Sequence, residues 1–181
     1  LFELGLKPGL EKYEQKAWFT RSEYNWNQVC NGGLLIGALS LAEEKPEEAG
    51  RIVSSAVASL PRAIASYDPD GAWGEGPGYW NYATRYTVFA LAGMETALGH
   101  DFGLGDTKGL KRAGYFPIYT SGPAGLLFNY ADAGEKSRLH PAAVLFWLAR
   151  RYEEPALAAR QHKLLAGRHA TPQDVIWYVP R

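Results

Sequence analysis

The chain has 181 residues, 46% of them apolar and 21% charged, enough for one globular domain with a real core. Lys+Arg and Asp+Glu balance at 19 each, so no net field draws it to DNA or to an anionic membrane surface. One cysteine, Cys30, excludes an internal disulfide and a multi-cysteine metal site, and the longest apolar-biased run, GGLLIGALSLA (32–42), is shorter than the roughly 20 residues that cross a bilayer.

The chain opens LFELG and stops at WYVPR, which reads as a piece of a longer protein, so a missing signal peptide carries no weight. The pattern is helical nearly throughout. WNQVCNGGLLIGALSLAEE (26–44) is apolar or small on all sides, which predicts a helix buried all round. In 46–67 the residues Ala49, Ile52, Val53, Ala56, Val57, Leu60, Ala63 and Ile64 form one apolar stripe at helical spacing. Pro46 suits the first turn of this helix, Glu47 and Glu48 face its dipole, and Pro61 should kink it or end it early. DPDGAWGEGPG (68–78) is too rich in glycine and proline for regular structure, and YWNYATRYTVFALAGMETALG (79–99) predicts another buried helix with Gly99 as its C-cap.

Buried and amphipathic helices thus alternate, which suits an inner and an outer layer better than an up-down bundle. From His100 to Arg138 the chain holds seven glycines and two prolines, with a short helix expected near 107–113 and an extended stretch at 126–132. A connection this long is usually functional. Helices resume over 140–154 and 155–167, and Thr171 before Pro172 is an N-cap candidate. No fixed-period repeat occurs, which argues against helical-repeat arrays.

No GxxxxGK[ST], HExxH or GxSxG motif is present, so nucleotide, zinc-peptidase and α/β-hydrolase readings lose their usual support. GEGPG (74–78) has neither the lysine nor the preceding strand of a phosphate loop. The four histidines are scattered and read as capping or surface residues, and no metal site is expected.

Two polar-aromatic clusters remain. YNWNQVCN (24–31) places Asn25, Asn27, Gln28 and Asn31 at the head of a buried-looking helix, more amides than one N-cap requires. Buried amides need partners, so these polar first turns are expected to face a cavity. In GYWNYATRY (78–86), Tyr79, Tyr82 and Tyr86 share a helical face with Phe89, and Arg85 lies three residues from Tyr82. Tyr86 and Phe89 read as core. Tyr79, Trp80 and Tyr82, beside a loop holding Trp73 and Glu75, read as cleft residues.

The segments NWNQVCNGGLLIGAL, DGAWGEGPGYWNYAT and SGPAGLLFNYADA (121–133) resemble the heparinase II/III-like and alginate lyase-like polysaccharide lyases. That resemblance covers nearly the whole chain. It implies an all-α fold, part of an incomplete (α/α) toroid with inner and outer helix layers and long irregular loops. Residues 1–181 would then be a single toroid-domain fragment, without the β-sandwich domain that completes the family's cleft.

The chemistry so implied is β-elimination in a uronic-acid polysaccharide or oligosaccharide. A neutral Asn or His binds the uronate carboxylate and makes the C5 proton more acidic, while a tyrosine protonates the leaving oxygen and serves as base in syn elimination. Position by position, the catalytic tyrosine falls on Tyr82, with Tyr79 as runner-up. The carboxylate neutraliser falls on Asn27 or Asn25. Tyr79, Trp80, Trp73, Glu75, Arg85, Gln28 and Asn31 would bind substrate. No cofactor is expected in this chain, and no nucleic-acid or membrane partner.

A periplasmic or secreted location is implied by the resemblance alone, with a cytoplasmic one left open. This sequence lacks the histidine that many family members carry near NWN. Two other readings stand beside the lyase. One is a glycoside hydrolase using Glu75 with Asp68 or Asp70. The other is a non-catalytic carbohydrate-binding or structural helical domain.

Overall fold

The computed structural model describes residues 1–180, which form helices and irregular segments with no strand among them. The chain divides into two compact units. One comprises residues 1–66 and 82–107, and the other comprises 67–81 with the chain from Lys108 onward.

In the first unit, α1 (Lys7–Glu14) starts on a proline in its first turn and leads through a short turn at Trp18–Arg21 to α2 (Asn25–Leu39). Helix α3 (Pro46–Ser59) follows, and Pro61 opens a separate short helix α4 (Pro61–Ile64), the break expected of a proline within the stripe. The stripe is buried as its spacing requires: Ile52, Ala56, Leu60 and Ala63 have no exposed surface. Leu6, Leu10, Ala38, Ala49 and Ile52 form a core cluster that Phe2, Tyr13 and Leu34 cover.

Helix α2 corrects the expectation of burial on all sides. It ends at Leu39, and Trp26 and Ile36 are 52% and 38% exposed. The pattern misled because Gly32, Gly33 and Gly37 look apolar without adding a side chain to bury. At Gly32 the bare backbone has a purpose, since a Cβ there would sit 2.6 Å from the carbonyl oxygen of Tyr86.

Helix α5 (Gly76–Leu98) starts inside the glycine-rich stretch that the sequence assigns to a loop. Gly76 turns the chain at φ +89°, and Pro77 fits a first helical turn because it needs no amide hydrogen there. Residues 76–81 of this helix belong to the second unit and residues 82–98 to the first.

The second unit also holds α6 (Lys108–Arg112), α7 (Phe116–Tyr119), α8 (Val144–Arg151), α9 (Pro155–Leu165) and α10 (Pro172–Ile176). Every residue of α8 from Val144 to Ala149 is buried. Thr171 caps α10 as predicted, in a reciprocal capping box with Asp174. Between α7 and α8 the chain is irregular, crossed by the isolated bridges Ser121–Leu127 and Leu126–Arg138. Among the described residues no helix is long and apolar enough to cross a membrane.

Candidate functional site

The amide side chains at the head of α2 are buried in the first unit, while Trp26 among them is exposed. Asn25 is 3% exposed, and Asn27, Gln28 and Asn31 have no exposed surface. The Asn27 Nδ2 group donates to the carbonyl of Phe19 at 3.1 Å and to the carbonyl and hydroxyl of Ser59 at 3.3 and 3.0 Å. Asn31 Nδ2 donates to the Asn27 carbonyl and to Ser59 Oγ, and Asn31 Oδ1 accepts from the Tyr13 hydroxyl at 2.7 Å. Ser59 Oγ in turn donates to the carbonyl of Thr20. These amides tie α1, the Trp18–Arg21 turn and the end of α3 to α2. The donors that would meet a uronate carboxylate are already engaged at Asn27. Its Oδ1 is buried without a hydrogen-bond partner.

Further along α5, Tyr82 is half-buried and meets Tyr86 edge-on at 5.5 Å, and Tyr86 meets Phe89 at 5.8 Å. The Arg85 guanidinium lies 5.9 Å from the centre of the Tyr82 ring. Cys30 is half-buried, and burial raises its thiol pKa.

In the second unit the motif DGAWGEGPGYW folds onto the segment around LLFNYADA. A Cβ on Gly76 would lie 2.7 Å from the Tyr130 carbonyl oxygen, and the Tyr130 hydroxyl donates to the carbonyl of Trp73. Trp73 is 1% exposed and packs against Tyr67 at a tilt of 34°, with ring centres 4.7 Å apart, so it is a core residue of this unit and not the open wall of a subsite. Glu75 is half-buried, and Tyr79 is 36% exposed. Of the acids weighed for hydrolysis, Asp68 accepts the backbone N–H of Gly109 at 2.6 Å and Asp70 accepts that of Ala72 at 3.2 Å. Both carboxylates pin the loop.

A cavity of about 180 Å³ opens at the head of α5, walled by Trp80 and Asn81 on one side and by Ser137, Arg138 and His140 on the other. The Trp80 ring is 1% exposed, and its Nε1–H is buried without an acceptor. Arg138 is anchored by one N–H on the carbonyl of Ala124 at 2.9 Å. The Arg168 guanidinium approaches His140 Nδ1 at 3.3 Å. Arginine can only donate, so Nδ1 is the acceptor and a neutral His140 carries its proton on Nε2.

The sequence reading placed Trp80 here but missed Asn81, Ser137, Arg138 and His140. The available signal was a basic residue and a histidine two positions apart within a long irregular connection. Among the described residues no cluster of His, Cys, Asp or Glu could hold a metal ion. No model of a known protein family matches the chain, and no curated protein sequence matches it.

Proposed function

We propose that the chain is the helical part of a polysaccharide lyase that cleaves uronic-acid polymers by β-elimination, with its carboxylate site in the cavity at the head of α5. The observation that carries this reading is the grouping of Asn81, Arg138 and a His140 whose Nδ1 faces Arg168, all around one cavity. An amide, a guanidinium and an imidazole Nε2–H are donors suited to a carboxylate, and they stabilise the enolate-like state that forms when the C5 proton leaves. Trp80 supplies an apolar wall beside these donors.

The elimination balances simply. A base takes the C5 proton, the electron pair forms the C4–C5 double bond, the C4–O bond breaks, and a phenol protonates the leaving oxygen. Tyr79, one residue before Trp80 and partly exposed, takes the phenol role within this unit. Tyr82, the first choice of the resemblance, is the competing candidate. By the same resemblance, a β-sandwich domain would supply the rest of the substrate cleft.

The test is an assay on a panel of polyuronates, following the ultraviolet absorbance of the unsaturated product, with Tyr79→Phe, Tyr82→Phe and His140→Ala compared to the parent. Loss of the signal in one tyrosine variant, with a normal melting temperature, identifies the acid. Full activity in both tyrosine variants sinks the mechanism. Reducing ends released without absorbance would indicate hydrolysis instead.

A further inference from the structure

The first unit carries a second concavity, of about 300 Å³, whose rim holds Lys16, Arg21 and Arg62. No acidic side chain lines it, and none of the three cations belongs to an ion pair among the described residues. Three like charges gathered around one depression repel each other, and an anion between them reverses that cost.

The floor is rigid. Tyr13, Thr20 and Ser59 line it, and each has its hydroxyl proton committed, to Asn31, Ala17 and Thr20 respectively. The buried amides of Asn27 and Asn31 hold that floor through Ser59, and Asn31 also holds it through Tyr13. Ser55 also lines the concavity. Lys16 takes its place through a left-handed backbone, φ +50°, at the end of α1, and its carbonyl accepts an N–H from Arg21.

We propose that this concavity binds a tetrahedral oxyanion, a sulfate or phosphate ester carried by a ligand. Two guanidinium forks and one ammonium match the several oxygens of such a group better than they match a single carboxylate. The site stands independently of the elimination reading, because it shares no residue with the cavity at the head of α5.

The experiment measures the melting temperature and the calorimetric affinity of the chain with sodium sulfate and sodium phosphate, against sodium chloride at equal ionic strength. A saturable rise with the tetrahedral ions alone is expected. The double variant Arg21→Gln/Arg62→Gln should bind at least about tenfold more weakly, given the strength of charge-assisted hydrogen bonds. Lys16→Gln should lose less. All three side chains are exposed, so the variants should keep the parent's ligand-free melting temperature and circular dichroism. Glucosamine 6-sulfate and glucose 6-phosphate then separate the two ester classes, with neutral glucose as the blank. Binding of either ester that depends on the two arginines supports the site. Equal affinity in the double variant, an equal effect of chloride, or failure of both esters overturns it.

Discussion

The Tyr13 hydroxyl of α1 donates to Asn31 Oδ1 of α2 at 2.7 Å, while the Asn31 amide nitrogen donates onward to Ser59 at the end of α3. One asparagine thus joins three helices. Burial raises the Tyr13 pKa and keeps the phenol a neutral donor at every working pH. The amides at the head of α2 therefore act first on stability, and Ser59 is the point where their bonds converge.

Ser59→Ala removes an acceptor used by both Asn27 and Asn31, together with the donor to the Thr20 carbonyl. Each asparagine keeps a backbone carbonyl as a second acceptor, which limits the damage. The expected loss is about 1–3 kcal/mol, the usual cost of leaving buried polar groups short of partners. Urea unfolding of the variant measures it, and a midpoint equal to the parent's would show that the network contributes nothing.

Gly109→Ala should cost more than any other glycine replacement in the second unit's helices. The added Cβ would stand 2.2 Å from the carbonyl carbon and oxygen of Tyr67, and backbone atoms cannot swing aside. The same shift would strain the bond from the Gly109 N–H to Asp68. A loss of at least about 2 kcal/mol follows from overpacking of this kind. Gly50→Ala on α3 is the control. Nothing lies within 4 Å of its Cβ position, so it should stabilise by about 0.5–1 kcal/mol. Thermal melts of the pair should move in opposite directions.

The Tyr115 hydroxyl donates to Glu154 Oε2 at 2.6 Å, and this bond to a carboxylate pushes its pKa up to about 12, with burial adding to the shift. An unfolded phenol titrates near ~10, so the folded state holds the proton more tightly. The stabilisation is present in full below the unfolded pKa and is lost as pH rises through the folded one. Stability should therefore fall between about pH 10 and about 12, in part through this pair. Glu154→Gln should return the phenol toward its ordinary range, as read from phenolate absorbance during a pH titration. An unchanged titration would remove the pair from the alkaline transition.

Much of the fold was legible because the α3 stripe and the two prolines at 46 and 61 obey local rules that tertiary structure did not override. The Thr171 cap was legible for the same reason. The start of α5 was not, since a glycine with positive φ followed by proline can open a loop or a helix. The neighbour that excludes a side chain there, the Tyr130 carbonyl at 2.7 Å from the Cβ position of Gly76, comes from far along the chain. Helix α1 went unread because its apolar contacts, Leu6 and Leu10 against Ala38 and Ile52, are made across the sequence. The site divided likewise. Trp80 and Tyr79 stand out by composition, whereas Arg138 and His140 reach the cavity through an irregular segment whose path no periodicity encodes.

At the last helix, Asp174 is 3% exposed and serves three donors. Its Oδ2 accepts from the Thr171 N–H and hydroxyl at 2.8 and 2.7 Å, and its Oδ1 accepts from the buried Gln161 amide at 2.6 Å. Gln161 also accepts the Ala142 N–H at 2.9 Å, so this carboxylate orients the residue that secures the chain just before α8. Thr171→Ala breaks only the capping box and should cost about 0.5–2 kcal/mol. Asp174→Ala breaks the cap and also strands the Gln161 N–H in the interior, so it should cost about 3 kcal/mol or more. Asp174→Asn keeps the shape but offers one acceptor oxygen in place of two, and should fall between them. Chemical denaturation of the three variants checks this order. Equal losses for Thr171→Ala and Asp174→Ala would confine the role of Asp174 to the cap.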